Sequence, residues 1–183
     1  MRERSEGWIL NLSTFCAELP PGPPFPTNRP SKAGFAYGAY LSGYGGYVSY
    51  VGVDAAIRGR GVGTRLFQQM FKVLAADAGS TDEPLPFVIW ESRRPTSKSP
   101  DADWKLWEAR IRLFDRVGGL WLDGITLHAP NYTRPGEPAI PLQLFMKPME
   151  TLIDRLDAAC LRSAVTGLLE RVYRLQPGDE RPP

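Results

Sequence analysis

The pattern of apolar residues in the first half of the chain predicts a β-hairpin. Aromatic and small residues alternate over residues 34–41, which places Phe35 and Tyr37 on the same side of a strand. A second apolar run covers residues 47–53. The glycine-rich stretch at residues 42–46 lies between the two runs, and such stretches commonly join antiparallel strands.

The following part of the chain predicts helices that alternate with strands. Apolar residues recur at helical spacing over residues 66–74, and residues 85–91 form an apolar run typical of a strand. A second helix is predicted over residues 104–117, where two glycines follow it. Further strands are predicted from residue 120 and over residues 141–146. This order indicates one sheet with helices packed on it.

The two ends of the chain differ from this central part. Residues 8–15 are compatible with an early strand, but residues 20–26 are rich in proline and predict a loop. We therefore expect one domain over residues 1–148 with a divergent, proline-rich start. Residues 149–183 return to helical spacing and end in a polar tail, and Gly167 is expected to bend or divide the helical segment. This extension packs either on its own domain or on a second copy in a homodimer.

The composition is that of an ordinary globular domain and argues against several classes of protein. Of the 183 residues, 43% are hydrophobic and 23% are charged. The formal net charge of +2 is too small to indicate binding to nucleic acid or to a membrane. No apolar run reaches membrane-spanning length and no signal-peptide pattern is present, so we expect a cytoplasmic protein. Cys16 and Cys160 lie far apart in sequence, which predicts neither a metal site nor a disulfide framework.

The most informative stretch is the arginine- and glycine-rich turn at residues 58–64, between a predicted strand and a predicted helix. Glycines allow backbone N–H groups to approach a ligand, and the N-terminus of the following helix favours an anion. The turn lacks the lysine of a P-loop, and Thr64 stands where a dinucleotide fingerprint has its last glycine. The pattern therefore predicts another kind of phosphate or pyrophosphate site. A plain turn with solvated arginines is the alternative.

Arg58, Gly61 and Gly63 form an Arg-x-x-Gly-x-Gly pattern that resembles the acyl-CoA pyrophosphate loop of the GNAT superfamily of N-acyltransferases. The resemblance implies an α+β (α/β three-layer sandwich) fold: a mixed, largely antiparallel sheet flanked by helices, here with an appended C-terminal helical segment. It also implies acetyl-CoA as co-substrate, no metal, and a strand at residues 47–53 that splays from its parallel neighbour. The implied cofactor-binding residues are Val51, Gly52, Val53, Arg58, Gly59, Arg60, Gly61, Val62, Gly63 and Thr64.

Three residues are candidates for catalysis. Glu91 ends a predicted strand where some family members carry a glutamate base; the alternative is a carboxylate paired with the arginines that follow it. His128, the single histidine, has a suitable pKa but falls in a predicted loop between the last two strands, where an exposed histidine is the alternative. Phe114 stands where many members have a tyrosine acid. The departing thiolate therefore either leaves without an acid or takes a proton from Tyr132.

These observations lead us to expect an N-acetyltransferase that acts on an amine of a small molecule or a peptide. Family members usually have one or two helices before the hairpin, whereas a short proline-rich segment precedes residue 34 here. This departure and Phe114 support an alternative, a CoA-binding module with weak or no catalysis. A third hypothesis is an interaction protein that uses the proline-rich stretch and the C-terminal segment. No residue pattern marks the acceptor.

Overall fold

The computed structural model describes residues 8–11, 33–129, 131, 137–149 and 157–175. The described strands form one sheet of six, in the order β1-β2-β3-β4-β6-β5. Every neighbouring pair is antiparallel except β3 and β4, which are parallel. The elements are β1 (Trp8–Asn11), β2 (Gly34–Leu41), β3 (Gly45–Val53), α1 (Val62–Ser80), β4 (Phe87–Arg93), α2 (Asp101–Arg116), β5 (Leu120–Ala129), β6 (Ile140–Pro148) and α3 (Ala158–Gly167).

Small residues on β2 allow α1 to pack closely against the sheet. A Cβ atom added at Gly38 would lie 3.1 Å from the Met70 sulfur and 2.6 Å from the Tyr47 carbonyl oxygen. Ala36 is fully buried on the same face, whereas Phe35 on the other face is 51% exposed. The alternation predicted for this strand is therefore correct, and the small residues rather than the aromatic ones face the core.

The strand β3 contains a bulge and separates from β4 beyond it. Tyr37 pairs with Tyr50 and Gly38 pairs with Val48, so Ser49 is an extra residue on β3. The parallel pairing of β3 with β4 covers only residues 46–48. The remainder of β3 has no strand hydrogen-bonded to its second edge within the described sheet, which opens a cleft between β3 and β4.

Each face of the sheet carries its own core. The helices α1 and α2 cover one face, where Phe67, Trp90, Phe114 and Phe145 form a cluster of aromatic rings with centroids 4.6–6.2 Å apart. Gly118 follows the C-terminus of α2 with a φ of 80°, which suits glycine, and Gly119 approaches the Trp90 ring closely.

The C-terminal helix α3 packs on the opposite face of the sheet. Leu168 is fully buried in a core with Ile89 and Leu144. The chain continues from α3 into one π-helical turn at Leu168–Val172. The α-helix ends at Gly167, the position where a bend or division of this segment was expected. Gly167 has a second function, because an added Cβ would lie 2.3 Å from the Tyr44 ring.

The expected α+β architecture is confirmed: a mixed, largely antiparallel sheet is flanked by helices, and a helical segment follows it. One expectation is wrong. His128 does not lie in a loop, because β5 continues to Ala129 and His128 pairs with Pro141 of β6. Within the described ranges, no helix has the length and apolar character needed to cross a membrane.

Candidate acyl-CoA and catalytic site

The cleft between β3 and β4 opens into a cavity of about 1130 Å³. Its walls come from β3, from the turn at residues 58–64, from the end of β4, from α2 and from the C-terminal residues Val172 and Tyr173. All ten residues predicted for cofactor binding lie on β3 or in this turn, and all of them except Arg60 line the cavity. Glu91 lines it as well.

The turn before α1 has the backbone geometry of an anion site. Gly59 and Gly61 have φ angles of 81° and 78°, in the left-handed region that favours glycine. In the part of the chain that the structure describes, no atom lies within 4 Å of a Cβ built on either glycine, so this side of the turn is open. Gly61 is the N-cap of α1 and provides no side-chain cap. The N–H groups of the first helical turn are consequently available to a ligand, at the positive end of the helix dipole.

Thr64 adds an unsatisfied polar group at this helix terminus. Its Oγ1 is buried and has no hydrogen-bond partner among the described residues, although Thr64 lines the cavity. A buried hydroxyl without a partner is costly, so such a group indicates that a ligand supplies the acceptor. Gly63 lies beside it and has another function, because an added Cβ would lie 3.1 Å from Leu113 of α2.

The connection from β3 to α1 fixes the position of the turn. Asp54 caps a short 3-10 turn by accepting a hydrogen bond from the Ala56 N–H at 2.8 Å, and Ile57 is buried beneath it. The Arg58 Nε donates to the Val53 carbonyl oxygen at 3.3 Å. These contacts hold the glycines at the end of the cleft.

The free edge of β3 offers main-chain groups to the cavity. The Asp54 N–H donates to the Ala33 carbonyl oxygen of the segment that leads into β2. Since successive residues of a strand direct their polar groups to opposite edges, Gly52 also points toward β2, whereas Val51 and Val53 point toward the cleft. The free main-chain groups are therefore those of Val51 and the N–H of Val53, since the Val53 carbonyl oxygen accepts from Arg58. Gly52 lines the cavity without offering them, and its missing Cβ leaves room for the Phe35 ring.

Several arginines give the cavity a positive charge. Those that line it are Arg58, Arg110, Arg112 and Arg116. Arg110 is half-buried, and its Nη1 donates to the Ser92 Oγ at 2.9 Å. This arrangement favours a ligand with several negative charges.

Glu91 is held by two tyrosine hydroxyls. The Tyr47 Oη donates to Glu91 Oε1 at 2.5 Å, and the Tyr173 Oη donates to the same oxygen at 2.8 Å. Glu91 Oε2 is buried, and no described residue forms a hydrogen bond with it. Burial raises the pKa of the Glu91 carboxyl, and the two tyrosine hydrogen bonds oppose this rise. The Glu91 carboxyl therefore changes its protonation state at a pH closer to neutrality than an exposed glutamate does.

The alternative interpretation of Glu91, a carboxylate paired with the arginines that follow it, does not match its contacts. No ion pair joins Glu91 to Arg93 or Arg94 among the described residues. The guanidinium of Arg94 instead lies over the rings of Trp104 and Trp121, at 5.9 and 5.6 Å from their centroids.

The other two catalytic candidates are not brought to Glu91. The side chain of His128 is exposed, and the residue is not part of the cavity wall. Tyr132 lies outside the described residues. Phe114 lines the cavity from α2 and is buried in the aromatic cluster, where it has no group that donates a proton. The catalytic roles of Glu91, His128 and Tyr132 stay predictions.

Sequence reasoning missed the two tyrosines that hold Glu91. Tyr47 was predicted only as a strand residue, and Tyr173 only as part of a C-terminal helix. Tyr173 lies 82 positions from Glu91 along the chain, so no local pattern could have joined them. The single available signal was that Glu91 directly follows an apolar run. A carboxyl buried with that run needs hydrogen-bond donors.

No protein-family model matches the chain, and no curated protein sequence matches it. Solved structures do match. A protein from Bacteroides thetaiotaomicron assigned to the GNAT acetyltransferases is 19% identical over 84% of this chain and 72% of its own, with a TM-score of 0.54. A protein from Bacillus anthracis assigned as a streptothricin acetyltransferase, solved with acetyl-CoA, is 17% identical over 65% of this chain and 57% of its own (TM-score 0.43). The ribosomal-protein-S18-alanine N-acetyltransferase of Escherichia coli is 14% identical over 83% and 99% (TM-score 0.44). The first of these matches, together with the sheet order and the cleft, shows that this chain has the fold of the GNAT acetyltransferases.

Proposed function

We propose that this protein is an N-acetyltransferase that transfers an acetyl group from acetyl-CoA to the amine of a small molecule or a peptide. The observation that carries the proposal is the open glycine turn at the N-terminus of α1, at one end of a cavity that also contains Glu91. An anion site and a carboxyl that can accept a proton lie in one cavity, and this combination suits acetyl transfer from a pyrophosphate-bearing donor to an amine.

The residues of the turn and of β3 suit acetyl-CoA. The first-turn N–H groups of α1 and the Thr64 hydroxyl would bind the pyrophosphate, and the cavity arginines would neutralise the remaining phosphate charge. The main-chain groups of Val51 and Val53 would bind the pantetheine arm and the thioester carbonyl. Such fixed donors stabilise the oxyanion that develops on that carbonyl.

Glu91 would act as the general base. The amine nitrogen attacks the thioester carbon, the new C–N bond forms, and the C–S bond then breaks to release the CoA thiolate. The proton lost by the nitrogen goes to the Glu91 carboxylate, directly or through a water molecule. The raised pKa of Glu91 makes it a better proton acceptor than an exposed glutamate.

The thiolate would leave without a proton from Phe114. A free thiol has a pKa of about 8.5, so a thiolate is a tolerable leaving group near neutral pH. Phe114 is also the observation that favours a second candidate function, a CoA-binding module without catalysis. The two functions differ in turnover and share the same binding site.

The test is release of the CoA thiol from acetyl-CoA in the presence of a panel of amines, with Glu91→Gln as the variant. We expect acetyl-CoA to bind both proteins equally and turnover to fall by about 10²–10⁴-fold in the variant, since glutamine does not accept the proton. Binding without turnover by the wild-type protein would support the CoA-binding module. Absence of acetyl-CoA binding would contradict both functions.

A further inference from the structure

The carboxyl of Glu91 projects from the face of the sheet that α3 covers. Its neighbours on that side of β4, Phe87 and Ile89, belong to the core formed with Ala164 and Leu168. The C-terminal segment, residues 157–175, therefore lies over the candidate base. Val172 and Tyr173 at its end are also part of the cavity wall.

The C-terminal segment is attached to the sheet at several points that do not involve Glu91. The Tyr44 hydroxyl donates to the Ala164 carbonyl oxygen, and the Tyr44 ring fits against Gly167. The Arg171 Nη1 donates to the Ser42 carbonyl oxygen at 2.5 Å. These contacts, together with the buried Leu168, bring Tyr173 to Glu91.

We infer that Tyr173 is a positioning residue of the active site: its hydroxyl, together with that of Tyr47, fixes Glu91 Oε1 and so directs Oε2 toward proton transfer. The role of Glu91 in this inference rests on the proposed function. The geometry is specific, because two hydroxyls from distant parts of the chain meet on one oxygen, while the other oxygen has no partner among the described residues. The C-terminal segment thereby becomes a part of the catalytic centre.

The groups that face Glu91 are tyrosines and apolar residues. Tyr47 approaches from β3, Tyr173 from the C-terminal segment and Tyr44 from the β2–β3 turn, while Leu144 of β6 lies opposite in the sheet. Arg110 donates to the side chain of Ser92, the residue after Glu91 on β4. Because successive strand residues point to opposite faces, the Ser92 side chain and Arg110 lie on the other face of the sheet from Glu91. Burial, followed by the charge of Glu91, raises the pKa of Tyr47, so this hydroxyl remains a donor near neutral pH.

The inference is tested by the titration of Glu91 in ¹³C-labelled protein, with its carboxyl resonance assigned through Glu91→Gln. In Tyr173→Phe the carboxylate loses one hydrogen bond, so we expect the midpoint to rise by about one pH unit. Tyr47→Phe is expected to change it in the same direction. Tyr37→Phe is the matched control, because Tyr37 lies on β2, is 38% exposed and is not part of the cavity wall.

A midpoint in folded Tyr173→Phe equal to that of the wild type would overturn the inference. A measurement on the wild type covers the case in which Tyr173→Phe does not fold: the ring resonances of Tyr173 are expected to shift at the Glu91 midpoint. Insensitivity of these resonances would also overturn the inference.

Activity measurements separate this inference from the proposed function. If the wild type is active, the acid limb of its kcat/KM profile against pH is expected to reflect the Glu91 titration. In Tyr173→Phe this limb is expected to move to higher pH by the same amount as the Glu91 midpoint. An unmoved acid limb would overturn the positioning role while Glu91→Gln still tests the base. A third outcome is a wild type without turnover whose Glu91 titration midpoint still depends on Tyr173. This outcome would contradict the proposed acetyltransferase, and Tyr173 would then be only a contact of the buried carboxyl.

Discussion

Replacement of Thr64 by valine separates ligand binding from folding at the proposed pyrophosphate site. Valine has the shape of threonine and is also β-branched, so packing and helix propensity change little. The variant loses a buried hydroxyl to which no described residue is hydrogen-bonded. An unsatisfied buried polar group costs about 1–3 kcal/mol, so we expect the free energy of unfolding without ligand to rise by about 1 kcal/mol. The melting temperature should then rise by about 2–4 °C.

The same substitution should weaken the binding of acetyl-CoA. A hydrogen bond from a hydroxyl to a charged phosphate contributes about 1.5–3 kcal/mol, which corresponds to an affinity loss of about tenfold or more. Thermal unfolding and isothermal titration calorimetry measure the two effects on the same samples. The expected result is a variant that is more stable than the wild type without ligand but binds acetyl-CoA more weakly.

Thr81→Val is the matched control for this prediction. The Thr81 hydroxyl donates to the Ala78 carbonyl oxygen at 2.9 Å, at the opposite end of the same helix, and Thr81 does not line the cavity. We expect this variant to lower stability and to leave affinity for acetyl-CoA unchanged. The reasoning would be refuted by a Thr64→Val variant that binds acetyl-CoA as tightly as the wild type, or by one that is less stable than the wild type.

Two further predictions concern the buried carboxyl and close packing. Burial places the pKa of Glu91 above its usual value, so the native state binds this proton more strongly than the unfolded chain does. The resulting stability is present at acidic pH and is lost as pH rises through the folded pKa. Thermal unfolding is therefore expected to show that the stability of Glu91→Gln relative to the wild type increases as pH rises. A difference in stability that does not change with pH would contradict this. Gly119→Ala places a Cβ 2.5 Å from the buried Trp90 ring and is expected to cost about 1–3 kcal/mol of unfolding free energy. In Gly79→Ala the Cβ meets open space within a helix, so urea unfolding should show a gain of about 0.5–1 kcal/mol, and equal effects of the two alanines would refute the packing argument.

The anion turn was predictable from the sequence because its requirements are local. Glycines at positions 59 and 61 adopt positive φ angles, and the helix begins directly after them. The helix and strand types were predictable for the same reason, since periodicity is a property of neighbouring residues. The extent of β5 was not: its exposed glycine at position 124 and its polar residues interrupt the apolar alternation, and pairing with β6 extends the strand to Ala129.

The surroundings of Glu91 depend on contacts between distant segments. The alternation on β2 identified a strand, but the close approach of α1 decides that Ala36 and the glycines, not Phe35, face the core. In the same way, the packing of α3 on the sheet decides that Tyr173 reaches Glu91. No spacing within the sequence encodes either contact.

The central claim, that the turn before α1 binds the pyrophosphate of acetyl-CoA, is tested most directly by isothermal titration of the wild type, Gly61→Glu and Gly61→Gln. Both variants carry the same backbone strain at a φ of 78°, of about 1–2 kcal/mol, and both point their side chains into open space, so they differ only in charge. The account predicts binding in the micromolar range by the wild type, weaker binding by Gly61→Gln and none by Gly61→Glu. A wild type that binds no acetyl-CoA, or two variants of equal affinity, would contradict it.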